Sequence, residues 1–561
     1  MPMQFRKSDL QPGRLSKGRA LRTSARVSWL LAGLFWLSAC GGGGSSAPSV
    51  PVDPGTGSSY AVPDLGAVTA QPQASPLADG WYRGAFMQIY VRAYKDSNGD
   101  GVGDLQGLIS KLDYLQDLGV KGLWLMPVTQ SQDRDHGYAV KQYRDIETDY
   151  GSLDDFKALV AQAHQRGMGV ILDYVINHSS DKHPLFLNSS SSKLNTHRDY
   201  YVWQDTAPSG WSIWGANPWY TGSTGAYFAA FWSGMPDFNW KSDKVRAFHH
   251  DNLRFWLNLG VDGMRFDAVG NLVENSASAW NSQPENHTVM NAIQTVVKGY
   301  DKRYMVCEAP DASQAFAATT SCGSAFAFDL KDTMIKAAKG DATVLPTLRD
   351  YFKTAPAGMA TLLANHDGFA GDRLWNQFGG DVAKYKLAAA TNLLLPGTPF
   401  IYYGEEVGMG SGTGLSGDAA LRAPMSWTSQ STGFTAGTAF RAVANNITSQ
   451  NVAAQVGVAG SLHSFYKSLL ALRNTWPSLS AGTYQFPSVS GSVLAFQRHA
   501  SAEKSLVVIN YGATSASVSM SNLPPSISTT AGFGVGGALS SDAAGAASLT
   551  VPAQSVLVYK L

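Results

Sequence analysis

The sequence predicts an α/β protein: a (β/α)8 barrel with an inserted domain after its third strand and a β-sandwich domain at its C-terminus. Three observations carry this. Eight short apolar runs fall between residues 86 and 406, with helix-like patterns between most of them. The interval 179–241 is too long for a simple crossover and is rich in Ser, Asn, Trp and Tyr. After about residue 460 the pattern changes to a helix followed by Gly- and Ser-bounded strands.

The N-terminus stands outside this scheme. Residues 1–26 carry Arg6, Lys7, Arg14, Lys17, Arg19, Arg22 and Arg26 with a single acid, and the apolar run "VSWLLAGLFWLSAC" (27–40) follows. That run is short for a membrane span and has the layout of an export signal. Its end, Leu37-Ser38-Ala39-Cys40, resembles a bacterial lipobox, which implies lipidation of Cys40. A plain signal peptide or a short anchor helix is the alternative. "GGGGSSAPSVPVDPGTGSS" follows at once and suits a flexible tether. The expected organisation is a signal over 1–40, a linker over 41–78, the barrel over 79–178 and 242–459, the insert over 179–241, and the C-terminal domain over 460–561. Export to a bacterial membrane follows, with a lipid anchor as the sole membrane contact. Gly41 after the anchor leans towards the outer membrane or cell surface.

The barrel strands are expected within "FMQIYVRAY" (86–94), "GLWLMPV" (122–128), "GVILDYVINH" (169–178), "VDGMRFDAV" (261–269), "RYMVCEAP" (303–310), "AFAFDL" (325–330), "ATLLANHD" (360–367) and "TPFIYYGEE" (398–406). Between the second and third, "SLDDFKALVAQAHQRG" (152–167) opens on a Ser-x-x-Asp cap and ends on Gly167. "SDKVRAFHHDNLRFWLNLG" (242–260) likewise ends on Gly260. Near the C-terminus, "VLAFQRH", "SLVVINY" and "SVLVYKL" read as sandwich strands.

The composition is that of an ordinary globular chain, with 44% hydrophobic residues and a net charge of +1. A charge this near zero lends no support to nucleic-acid binding. Without Cys40 two cysteines remain, Cys307 and Cys322. An exported chain permits a disulfide between them; two buried free thiols are the alternative.

In such a barrel, chemistry gathers at the C-terminal ends of the strands. Three isolated carboxylates, Asp267, Glu308 and Asp367, fall there on three different strands. Buried carboxylates must be paired, protonated or working. Two flanking an acetal carbon are what glycoside hydrolysis requires, one as nucleophile or base and one as an acid of raised pKa. No G-x-S-x-G, HExxH or CxxC motif competes. Arg265 and Asp267, two apart, share a strand face that Met264 and Phe266 avoid, so Arg265 is placed to keep Asp267 ionised.

"DYVINH" (173–178), "GMRFDAV" (263–269), "CEAP" (307–310) and "ANHD" (364–367) resemble, in order, the four short conserved regions of the α-amylase family of glycoside hydrolases. "HGYAVKQYRDIETDYGSLDDF" (136–156) and "GTPFIYYGEEVGM" (397–409) resemble its segments around the second and eighth strands. The resemblance implies that Asp267 is the nucleophile, Glu308 the general acid and later base, and Asp367 the carboxylate that grips substrate hydroxyls. It implies that Arg265, His178 and His366 attend the sugar in the cleaved subsite, and that Tyr138 stacks on it. "MPDFN" (235–239) is close to the form seen in intermediary α-amylases, and "GDAALRAPMSW" (417–427) echoes a segment shared with 1,6-glucosidases. Asp237 and Asn239 support either the insert loop or the substrate. Gly270 and Asn271 depart from the Lys and His of the best-known α-amylases, whose leaving-side contacts are therefore not expected here.

"DSNGDGVGD" (96–104) offers oxygen ligands at Asp96, Asn98, Asp100 and Asp104, with the Val102 carbonyl as a further one. Position 107 is Gly where an EF-hand needs Glu, so the loop resembles instead the first-loop Ca2+ site of the family's 1,6-glucosidase-like members. The function expected is hydrolysis of α-1,4 bonds in starch and maltooligosaccharides, with retention, by a monomer. The alternatives are an α-glucosidase, a neopullulanase-like or transglycosylating enzyme, or a non-catalytic glucan-binding lipoprotein.

Overall fold

The computed structural model describes residues 59–561, Arg134 excepted. The signal, Cys40 and most of the tether lie outside the described residues.

Eight parallel strands close into a barrel: β1 (Phe86–Ile89), β2 (Gly122–Leu125), β3 (Gly169–Tyr174), β4 (Gly263–Phe266), β5 (Tyr304–Cys307), β6 (Ala325–Phe326), β7 (Met359–Thr361) and β8 (Thr398–Tyr402). Each pairs with its neighbours in sequence, and β8 closes on β1 through Phe86 and Phe400. Alternation assigns the faces. Phe86, Trp124, Ile171, Val306, Phe326 and Phe400 fill the lumen. Met264, Phe266, Met305 and Cys307 point out into the core beneath the helices. Two glycines make room for the rings at the barrel floor. A Cβ on Gly122 would lie 2.3 Å from the Phe86 ring, and one on Gly169 would lie 2.3 Å from the Trp81 ring.

The two helices read from the sequence form as Leu153–Gln165 and Asp243–Asn258. In the first, Ser152 and Asp155 make a reciprocal capping box. All eight strands are shorter than their apolar runs, and three show what replaces the strand. The first run ends as a strand at Ile89 and continues as the helix Val91–Tyr94; the sixth gives way to the helix Phe328–Ala338; the seventh stops at Thr361. Past the barrel rim there is no neighbouring strand to accept the ladder bonds, and the chain turns into the loops that carry polar residues.

Between β3 and β4, the 179–241 segment holds the helix Pro184–Ser191 and a small antiparallel sheet of Trp203–Gln204, Gly225–Phe228 and Trp219–Gly222. It returns to the barrel through a bridge pairing His178 with Asp237, and Tyr201 bridges Phe238 within the insert. After the helix Leu462–Thr475, a five-stranded antiparallel sheet and two short strand pairs build the C-terminal domain around Val508, Leu549 and Leu557.

Cys307 and Cys322 form a disulfide. Since Cys307 faces outward from β5, the bridge lies on the helix side and ties that strand to the approach to β6.

Candidate active site

The site is organised around Arg265, which is wholly buried in β4. Its Nη1 donates to Asp173 at 2.6 Å, to Asp267 at 2.8 Å and to the Tyr138 hydroxyl at 3.2 Å. Its Nη2 forms an ion pair with Glu308 at 2.6 Å. One guanidinium thus binds the nucleophile candidate, the acid candidate and a carboxylate from the neighbouring strand. A buried cation of this kind needs such partners to offset its desolvation.

Asp267 and Glu308 sit one residue past the ends of β4 and β5. The backbone ladder continues just that far, with Asp267 N–H donating to Tyr174 O and Glu308 N–H to Phe266 O. Ala268 then takes a left-handed conformation, φ 47°. This turn aims its N–H at the Glu308 carboxylate, 3.1 Å away. A non-glycine in this region costs energy and is retained where the surroundings hold it.

Burial pushes the Asp267 carboxyl well above the usual range, Arg265 pulls it back, and the charges of Glu308 and Asp173 push it up again. Asp173 is pushed up to about 6 by burial, against the pull of Arg265. Burial and mutual repulsion thus raise Asp267 and Asp173 together, and Arg265 opposes both shifts.

Asp367 lies on the loop after β7. It accepts from Arg422 Nη2 at 3.0 Å, and Arg422 also binds Asp418 at 3.0 Å. Burial raises Asp367 to about 8; Asp418 adds to the shift and Arg422 opposes it. Asp418 and Arg422 belong to the "GDAALRAPMSW" segment, whose roles the sequence left open. Its Gly-Asp and Arg spacing, four apart on one short helical turn, was the available signal.

Tyr138 and His178 line the same cavity as the three carboxylates. Tyr138 stacks one face on His366, with ring centroids 5.5 Å apart and planes 9° apart. Its hydroxyl donates to Asp173 at 2.8 Å. His178 Nε2 has no protein partner, and burial lowers its pKa to about 3, so the ring is neutral.

His366 and Arg265 are buried against Tyr138, Asp267 and Asp367, which line the cavity. His366 is wholly buried, with Nδ1 2.6 Å from Gln88 and Nε2 2.7 Å from the Tyr138 hydroxyl and 3.1 Å from Asp367. Through these contacts His366 positions Tyr138 and Asp367. Asp237, left open between two roles, is wholly buried and accepts from Asn177 Nδ2 at 3.0 Å and from Ala230 N–H at 3.1 Å. It fastens the insert to the barrel.

The cavity has a volume of about 910 Å³ and opens between the insert and the barrel's C-terminal loops. Trp214, Trp280 and Phe231 add aromatic walls. Its size and its mixture of apolar faces with a few converging polar groups suit a small carbohydrate ligand.

The Asp96–Asp104 loop lies away from this cavity. Asp96 accepts from the N–H groups of Asn98, Gly99 and Gly101 at 2.9, 2.7 and 2.9 Å, and from the Thr435 hydroxyl. Asn98 and Asp100 cap Asp100 and Val102 N–H in the same manner. Asp104 caps the helix Leu105–Ile109 through Gly107 N–H. Among the described residues no three or more His, Cys, Asp or Glu converge as a metal cluster. The donor set is nonetheless all oxygen, the chemistry of a hard cation, and the turns hold those oxygens along one short loop.

Residues 88–482 match the family described as alpha amylase, catalytic domain. "Alpha-amylase 3" of Dictyoglomus thermophilum is 36% identical over 442 residues, covering 77% of this chain and 85% of that protein. The "Oligo-1,6-glucosidase" of Parageobacillus thermoglucosidasius is 31% identical, covering 72% of this chain and 85% of that protein. Among solved structures, an alpha-amylase from H. orenii superposes with a TM-score of 0.74 at 32% identity, covering 85% of this chain and 99% of that one.

Proposed function

Because the chain belongs to the alpha-amylase catalytic-domain family of glycoside hydrolases, we propose that it hydrolyses α-1,4-glucosidic bonds in starch and maltooligosaccharides with retention of configuration. The observation that carries this reading is Arg265 joining Asp267 and Glu308 beside a cavity that Asp367 also lines. Asp267 attacks the anomeric carbon while the protonated Glu308 gives its proton to the departing glycosidic oxygen. A covalent glycosyl-enzyme results. Glu308, now a carboxylate, takes a proton from water, which displaces Asp267. Such a double displacement uses carboxyl groups about 5–5.5 Å apart, against about 6.5–9.5 Å in an inverting arrangement. Asp367 and the neutral His178 hold the hydroxyls of the reacting sugar, and the exposed face of Tyr138 packs against its ring.

A second reading, an exo-acting α-glucosidase, is favoured by one observation. Arg441 pairs with Asp135 at 2.8 Å and donates to the Arg422 carbonyl, bracing the wall formed by His136 and Arg422. A braced wall at that end supports a pocket that admits a chain terminus. Product profiles on starch, maltotriose, pullulan and isomaltose separate the two. Falling starch viscosity with mixed maltooligosaccharide products is expected. Intact starch with glucose released from short oligosaccharides overturns the first reading in favour of the second.

We further propose that the Asp96–Asp104 loop holds a calcium ion through Asp96, Asn98, Asp100, Asp104 and the Val102 carbonyl, where the ion stiffens the chain leaving β1. The chain acts as an exported monomer, anchored by lipid at Cys40 to the outer membrane or cell surface. The lipobox-like Leu37–Cys40 supports the anchoring.

A further inference from the structure

The wall beyond the catalytic carboxylates is built by the segment that follows Asp267. A Cβ on Gly270, three residues after Asp267, would lie 2.7 Å from Asn281 Oδ1. The space beside the nucleophile is thus filled by the segment Trp280–Ser282, which folds back onto Gly270 through a Ser282 N–H to Gly270 O bond of 2.7 Å. Asn281 Nδ2 then donates to Asp311 at 2.7 Å, fastening this segment to the loop that follows Glu308. The acid must reach the departing oxygen, so its loop marks the leaving-group side, and Trp280 stands there.

Trp214 meets Trp280 from the insert, with centroids 5.6 Å apart and planes 87° apart, and leans on Phe231 at 5.3 Å. It occupies an unusual position. Ile213 and Ala216 exchange both backbone hydrogen bonds, at 2.8 and 2.9 Å, around a two-residue turn in which Trp214 and Gly215 have φ of 47° and 82°. Turns with φ positive at both central residues favour Asn, Asp or Gly at the first. A tryptophan there is strained, and strain persists at sites where the side chain is used. Both indoles line the cavity that holds Asp267 and Glu308.

We propose that Trp280 and Trp214 form the leaving-side subsite. The apolar face of the glucosyl ring beyond the cleaved bond stacks on these indoles, which thereby set the preference for oligosaccharides over glucosides with small leaving groups. The pair replaces contacts that Gly270 has no side chain to make. This rests on the α-glucosidic activity proposed above.

The test compares maltotriose with α-glucosyl fluoride, whose leaving fluoride has no sugar ring to stack. Trp280→Ala and Trp214→Asn are measured with Trp280→Phe as the aromatic control. Asn suits the turn, so Trp214→Asn removes the indole without unfolding the hairpin, and an unchanged melting temperature verifies this. The expected result is a fall in kcat/KM for maltotriose that exceeds any fall for the fluoride at least tenfold in both variants, with most of it restored in Trp280→Phe. Equal losses on the two substrates, or none, would overturn the subsite. A wild-type enzyme inert towards both substrates would instead overturn the activity on which the subsite rests.

Discussion

At the scale of single residues, Arg265 decides the state of the site. It opposes the burial that raises Asp267 and Asp173. Weakening it therefore raises both carboxyls further, and a smaller fraction of Asp267 is ionised at any given pH. Arg265→Lys keeps the charge but loses the fork. It is expected to lower kcat/KM by about a hundredfold or more and to move the acidic limb of the pH–rate profile to higher pH. A limb that stays in place while the rate falls would make Arg265 a packing residue only. The charged pair was legible in the sequence because Arg265 and Asp267 lie two apart on a strand. The Arg265 partner Asp173, and Gln88 beside His366, were not assigned roles, because they come from β3 and β1, whose proximity in space leaves no local trace. The contacts of His366 were not legible for a related reason: sequence puts a histidine beside Asp367 but does not say which way its ring faces.

At the scale of elements, strand ends place the chemistry, and small devices fix the strand ends. The disulfide closes a loop with a sequence separation of 15 and anchors the residue before Glu308. A loop of that length is worth about 3 kcal/mol in the chain-entropy account. Cys322→Ser is expected to lower the unfolding free energy by about 2–4 kcal/mol in denaturant titrations. Because Cys307 precedes Glu308, it is also expected to reduce kcat more than it alters KM. Unchanged stability would mean that the helix-side packing of β5 suffices without the bridge. The sequence offered disulfide and free thiols on equal terms, since spacing alone does not say which strand face a cysteine takes. It located the eight strands from apolar runs, yet overran the C-terminal end of each, as at β1, β6 and β7, where residues of the run continue past the last ladder bond into helices and loops.

At the scale of the whole molecule, the barrel, the insert and the C-terminal sheet were legible from changes of period along the chain. The cavity was not, because its walls join residues from about 136 to 422 that meet only in the closed fold. The proposed calcium loop connects the two scales. Its Gly101 has φ 92°, and a Cβ there would lie 1.9 Å from Thr438 O, so the loop is pressed against the segment after β8. Chelation is expected to lower the melting temperature and added Ca2+ to restore it, with the response lost in Asp100→Ala. A melting temperature indifferent to chelator would leave the loop as a set of capped turns.

The central claim is that Asp267 and Glu308 act as nucleophile and acid in a double displacement on an α-glucoside. Proton NMR of the first-formed anomer from maltotriose, recorded before mutarotation, tests it most directly. Accumulation of the α-anomer is the result expected. Initial accumulation of the β-anomer would contradict a covalent intermediate on Asp267 and recast that residue as the base of an inverting enzyme.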